Sequence, residues 1–221
     1  MANVFLTGAT GFLGRNLAPE LMQRGHRVRA LARSGSQGRI PAGCEVVIGD
    51  ALDAASYRHR VGLSDTFVQL VGVSHPSPAK AAQFREIDLK SALAGVDAAR
   101  SASIRHFVYV SVAHPAPVMK EYIAARSAAE EAIRASGLNA TIVRPWYILG
   151  PGRRWPLLLV PMYWVMGALP ATRESARRLG LVTIGQMVAA LVRAVEQPAQ
   201  GLEVVEVPQI RAGIQAALSC L

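Results

Sequence analysis

Cysteine is scarce in this chain: only Cys44 and Cys220 occur, far apart and with no partners at metal-ligand spacing. That excludes a disulfide framework and a cysteine zinc site, fits a reducing compartment, and leaves no metal site to expect. Charged residues reach only 18% and form no block, and aromatics only 6%. The net charge of +9 therefore reads either as arginine spread over a solvated surface or as the mark of an anionic partner such as a nucleotide phosphate. Nucleic acid is not expected, because no basic stripe interleaves with aromatics. An apolar segment begins almost at the first residue and reads as a strand, which leaves no room for a signal peptide. The expected location is cytoplasmic.

Apolar residues, by contrast, make up 51% of 221 residues, enough for one domain with a large core. The organising stretch is Thr7-Gly8-Ala9-Thr10-Gly11-Phe12-Leu13-Gly14, which follows the apolar run 4–6 and opens an amphipathic segment over 12–24. Strand, glycine turn and helix in that order suit a phosphate. Glycines remove the Cβ atoms that hold a pyrophosphate off the backbone, and a new helix offers unpaired N–H groups and the positive end of its dipole. Pro19 should bend that helix, and Gly25 caps it.

Further along, strands are expected at 27–33, 45–48, 66–71, 107–110, 140–144 and 202–207, the last in an edge position. Helices are expected at 80–101, 118–136, 183–196 and 210–218. Their alternation predicts a doubly wound parallel α/β sheet of Rossmann type with a small C-terminal lobe, one domain over 1–221. Met187, Leu191 and Val195 form a core stripe on the 183–196 helix. In such a fold, the end of the second strand meets the adenosine ribose. Arg33 and Ser34 stand there with no carboxylate nearby, which favours NADP(H) over NAD(H). Asp50 either bonds the adenine amino group or caps the short helical segment that follows. His75, in the loop 72–78, is a candidate substrate contact, and Ser111 is delivered to the cofactor edge by the strand 107–110. Tyr122 and Arg126, four apart, share a helix face.

The glycine turn, Gly49-Asp50, Val110-Ser111, Tyr122 with a basic residue four later, and Arg144-Pro145 before Gly150-Pro151-Gly152 together resemble the short-chain dehydrogenase/reductase superfamily. The likeness is to its extended or atypical branch of sugar-nucleotide epimerase-like proteins, and it spans nearly the whole chain. It implies a cofactor site formed by Gly8, Thr10, Gly11, Phe12, Leu13, Gly14, Arg33, Ser34, Asp50, Ala51, Leu52, Val71, Gly72, Val110 and Pro145. It also implies that Tyr122 is the general acid/base and that Ser111 orients the reacting group. Arg126 stands where the family has a lysine that holds the ribose and lowers the tyrosine pKa. An arginine supplies charge and hydrogen bonds but surrenders no proton.

The most hydrophobic stretch, 155–170, is too short and proline-broken for a membrane span. It reads as a substrate-pocket wall, an oligomer or partner interface, or a segment resting on a membrane surface among arginines; the resemblance favours the pocket wall. Residues 150–182 are thus expected to be a small insertion that covers substrate or forms an interface. A small or apolar carbonyl or hydroxyl substrate suits so small a lobe, in an NADP(H)-dependent oxidoreductase or epimerase-like protein that is a monomer or homodimer. The alternative is a non-catalytic dinucleotide-binding sensor or an assembly or accessory subunit.

Overall fold

Val4, Phe5 and Leu6 are fully buried in β1 (Asn3–Thr7), an inner strand of a sheet covered on both faces. The computed structural model describes residues 1–116, 118–152 and 178–218. The apolar stretch 155–170, most of the expected insertion and Cys220 lie outside these residues. Six further strands join β1: β2 (Arg27–Ala32), β3 (Glu45–Ile48), β4 (Thr66–Gln69), β5 (His106–Val110), β6 (Ala140–Arg144) and β9 (Leu202–Glu206). They form one sheet in the order β3-β2-β1-β4-β5-β6-β9, and every pairing is parallel. This is the doubly wound architecture that the alternating pattern predicts, with β9 at the edge as its Glu203 and Glu206 suggest.

The helices are α1 (Phe12–Gln23), α2 (Lys90–Ser101), α3 (Lys120–Ala135), α4 (Ile184–Glu196) and α5 (Val207–Leu218). On one face of the sheet, α1 and α4 bury Leu17, Leu21, Met187, Leu191 and Val195 against Val4, Leu6, Val68 and Val108. On the other, α2 and α3 cover Phe5, Phe67 and Phe107. These three phenylalanines are register partners on β1, β4 and β5, and their rings lie 5.2 Å apart in sequence across the strands. So few aromatics suffice because three of them sit in one row, each supporting the next.

Local chemistry fixes the ends. Thr183 and Gln186 form a reciprocal capping box at the start of α4, while Gly25 and Gly137 take φ of +81° and +72° past α1 and α3. Four expectations need correction. The 80–101 segment is not one uniform helix: Pro78–Lys80 is a 3-10 turn and Phe84–Leu89 a π-helical segment before α2. Between Arg144 and Gly150, where no strand is expected, Tyr147–Leu149 forms β7 and pairs in parallel with β8 (Leu181–Thr183); a three-residue strand shows only when its distant partner is known. β4 stops at Gln69, short of Val71. The cap before the short helical segment is Asp53, whose carboxylate accepts from Ala55 N, while Asp50 Oδ1 accepts from Leu52 N at 3.0 Å.

Candidate active site

Because all seven strands run the same way, their C-terminal ends share one edge, the place where open α/β sheets bind ligands. Gly8, Arg33, Asp50, Val71 with Gly72, Ser111 and Pro145 each follow one of the strands β1 to β6 there. The topology thus collects at one edge residues separated by up to the length of the nucleotide-binding half.

The turn after β1 is built for close backbone approach. Gly8 has φ +73°, and a Cβ on it would lie 2.9 Å from the Leu70 carbonyl carbon. A Cβ on Gly14 would collide with Gly8 O and Ala9 Cα, so the helix can start hard against the turn only with glycine there. The turn closes through Gly11 N to Gly8 O at 2.9 Å. Gly11 caps α1 without a side chain, and the first turn carries no acidic residue. That leaves the positive end of the helix open to an external anion. This cradle fits a dinucleotide pyrophosphate. Phe12 packs against Gly150, where a Cβ would stand 2.6 Å from its ring. Thr10 and Leu13 are half-buried beside it, and Arg33, Ser34 and Asp50 are exposed. Ala51, Leu52, Val71 and Gly72 are half-buried, whereas Val110 and Pro145 are buried.

Below this edge runs a buried polar chain. Thr7 donates to Gln69 Oε1 at 2.5 Å, Gln69 Nε2 donates to Ser91 Oγ at 3.1 Å, and Ser91 donates to the Asp88 carbonyl at 3.1 Å. Asp88 is fully buried, its carboxylate accepting from Val73 N at 3.0 Å and from Arg126 Nη2 at 2.6 Å. Arg126 reaches in from α3, donating through Nη1 to Val110 O at 2.7 Å and to the Tyr109 hydroxyl at 3.3 Å. Its guanidinium is 5.2 Å from the Tyr122 ring centroid and 5.6 Å from that of Tyr109. Burial would lower its pKa, yet the Asp88 carboxylate and the hydrogen bond to Tyr109 outweigh that and hold it above the ordinary arginine value, so the cation persists. Burial pushes the Tyr109 phenol up to about 12, which keeps it neutral beside that cation. The space for the guanidinium exists because residue 72 is glycine: a Cβ there would run into Arg126 Nη2.

Tyr122 is half-buried, its ring 5.0 Å from Phe84. The tyrosine and the cation four residues after it thus lie side by side, the cation also bonded to Val110 O at the end of β5. Ser111, one residue further, is 3% exposed and donates to Glu130 Oε1 at 2.6 Å. His75 is exposed in its loop, where no side-chain contact is shown for it. Sequence reasoning missed Asp88 and Glu130, because carboxylates on helical segments read as solvated. One signal was available: Tyr122, Arg126 and Glu130 continue a four-residue spacing along one face. Among the described residues no acidic or histidine cluster could hold a metal, and no helix is long and apolar enough to cross a membrane.

Residues 8–154 match the family model described as NAD(P)H-binding. The chain is 31% identical over 210 residues to the ceramide reductase of Caulobacter vibrioides, covering 94% of this chain but only 65% of that protein. It is 30% identical over 225 residues to a 3-diazoavenalumate denitrifying reductase of a Streptomyces species, covering 90% and 73% of the two chains. In fold it is similar to the Bordetella bronchiseptica enzyme WbmH in complex with NAD+, with a TM-score of 0.69 and 21% identity over 99% of this chain and 82% of that one. The glycine cradle, the parallel sheet and these matches agree, and the chain belongs to the NAD(P)H-binding family, within the Rossmann proteins of the short-chain dehydrogenase/reductase type.

Proposed function

We propose that this chain is an NADP(H)-dependent oxidoreductase of the atypical short-chain type that acts on a small or apolar carbonyl or hydroxyl compound. The observation that carries the reading is the permanent cation of Arg126 beside Tyr122, at the same sheet edge as the glycine cradle. A phenol with a fixed positive charge held against its ring is the pairing that proton exchange with a substrate oxygen calls for. The two relatives named as reductases support it.

Gly8, Thr10, Gly11, Phe12, Leu13 and Gly14 would hold the pyrophosphate, and Asp50, Ala51 and Leu52 would flank the adenine. Val71, Gly72, Val110 and Pro145 would line the path to the nicotinamide. When bound, the nicotinamide supplies or accepts a hydride. In the reducing direction Tyr122 gives its phenolic proton to the carbonyl oxygen, and in the oxidising direction it takes that proton back. Arg126 would keep its positive charge beside the Tyr122 ring throughout. Arg33 and Ser34, exposed just past the end of β2 and with no carboxylate close by in sequence, would take the 2′-phosphate. Replacing Arg33 by Asp should weaken NADPH binding at least tenfold while leaving NADH binding nearly unchanged, as followed by fluorescence titration. Unchanged NADPH affinity would remove the NADP preference.

NADPH oxidation with a panel of carbonyl compounds tests the catalytic assignment. Tyr122→Phe should abolish turnover and spare binding. A second reading, a non-catalytic dinucleotide-binding sensor or accessory subunit, is favoured by one observation: Arg126 is already engaged by Asp88 and Val110 O. Tight NADPH binding without turnover by the wild type would establish it.

A further inference from the structure

Glu130 is 1% exposed and gathers donors from three parts of the fold. Arg144, at the end of β6, forks onto it, with Nε on Oε1 at 2.9 Å and Nη2 on Oε2. Arg144 Nη1 continues to Glu206 at 2.9 Å. Arg134 Nη2 and His114 Nε2 lie 3.4 and 3.5 Å from its two oxygens. Burial alone would raise this carboxyl, but the hydrogen bonds from Arg144 and Ser111 outweigh it and hold it below the usual carboxylate range. An ionised carboxylate only accepts hydrogen bonds. The single hydroxyl hydrogen of Ser111, pointed at Glu130 over 2.6 Å, is therefore committed, and only lone pairs remain at Oγ.

We propose that Glu130 is a positioning residue that turns Ser111 Oγ into a hydrogen-bond acceptor toward the substrate, so that the site selects carbonyl compounds with a hydroxyl or N–H donor beside the reacting carbon. This rests on the oxidoreductase reading above. A serine free to rotate would donate to the reacting carbonyl. Here that would break a charge-assisted bond to a buried anion, so the carbonyl oxygen takes its hydrogen bond from Tyr122, and Ser111 receives the neighbouring donor of the substrate. Arg144 keeps the arrangement from reversing, because its fork holds the carboxylate ionised and fixed in orientation.

Calorimetric titration of the full chain with α-hydroxyacetophenone and with acetophenone tests this, with NADP+ present so that no reduction runs. Wild type should bind the hydroxy ketone about tenfold more tightly, the worth of one hydrogen bond to a fixed partner. Ser111→Ala should bring the two affinities together, and Glu130→Gln should narrow the gap several-fold. In the Ser111→Ala background, Glu130→Gln should change the ratio no further; a merely structural role would add its loss in both backgrounds. Equal or absent affinity of the wild type for the two ketones overturns the proposal, as does a preference that survives Ser111→Ala. The serine variant decides the matter if Glu130→Gln fails to fold. Because no turnover is read, failure of the oxidoreductase reading shows separately, as NADPH binding without NADPH oxidation.

Discussion

Arg126 is the residue on which the site turns, and its surroundings explain how an arginine is accommodated beside Tyr122. It needs a fully buried carboxylate, supplied by Asp88, and a neighbour without a side chain, supplied by Gly72. Replacing Asp88 by Asn leaves a buried cation without its counter-charge and should cost about 3 kcal/mol in urea unfolding. A loss near zero would mean that Val110 O and Tyr109 alone satisfy Arg126. Gly72→Ala drives a methyl into the guanidinium and should destabilise by about 1–3 kcal/mol, with no such loss once Arg126 is shortened to Ala. Of these residues, Ser111, Tyr122 and Arg126 could be picked out in the sequence, since spacing places them at a strand end and on a helix face. Their partners could not. Asp88 lies in a π-helical segment, where a helical-wheel reading loses register, and Glu130 is acceptable on any exposed helix until the tertiary fold buries it.

At the scale of elements, the continuous apolar strands and glycine caps were legible, because a parallel strand buried on both faces must be apolar along its length. β7 was not, for its partner β8 begins only at Leu181 and three residues carry no periodicity. β5 carries a titrating group that its neighbours make informative. His106 is fully buried at its start, its Nε2 3.0 Å from Thr141 Oγ1, and burial lowers its pKa from 6.5 to about 4. The unfolded chain takes up a proton near the higher value, and the fold refuses it until the lower. Stability from this group is therefore complete above pH 6.5 and is lost as pH falls toward 4, by up to ~3 kcal/mol. His106→Gln should flatten the pH dependence of unfolding in that window. An unchanged slope would place the proton uptake elsewhere.

For the whole molecule, one topological fact links sequence to function. Seven parallel strands present all their C-terminal ends on one edge, so residues that the sequence scatters from Gly8 to Pro145 converge there. That convergence was foreseeable from the alternating pattern and the glycine turn, whereas the hydrogen-bond network beneath the edge depends on contacts no linear reading contains. On the proposed function, Tyr122 would move a proton at this edge, and a bound dinucleotide would supply the hydride. The most direct measurement uses NADPH deuterated at its transferable position, with mass spectrometry of the alcohol formed from a reactive carbonyl compound. The wild type should place the label on the product carbon, and Tyr122→Phe should bind the cofactor yet form no labelled alcohol. Labelled product formed equally by both proteins would contradict the role of Tyr122, and none from the wild type, despite bound NADPH, would contradict catalysis altogether.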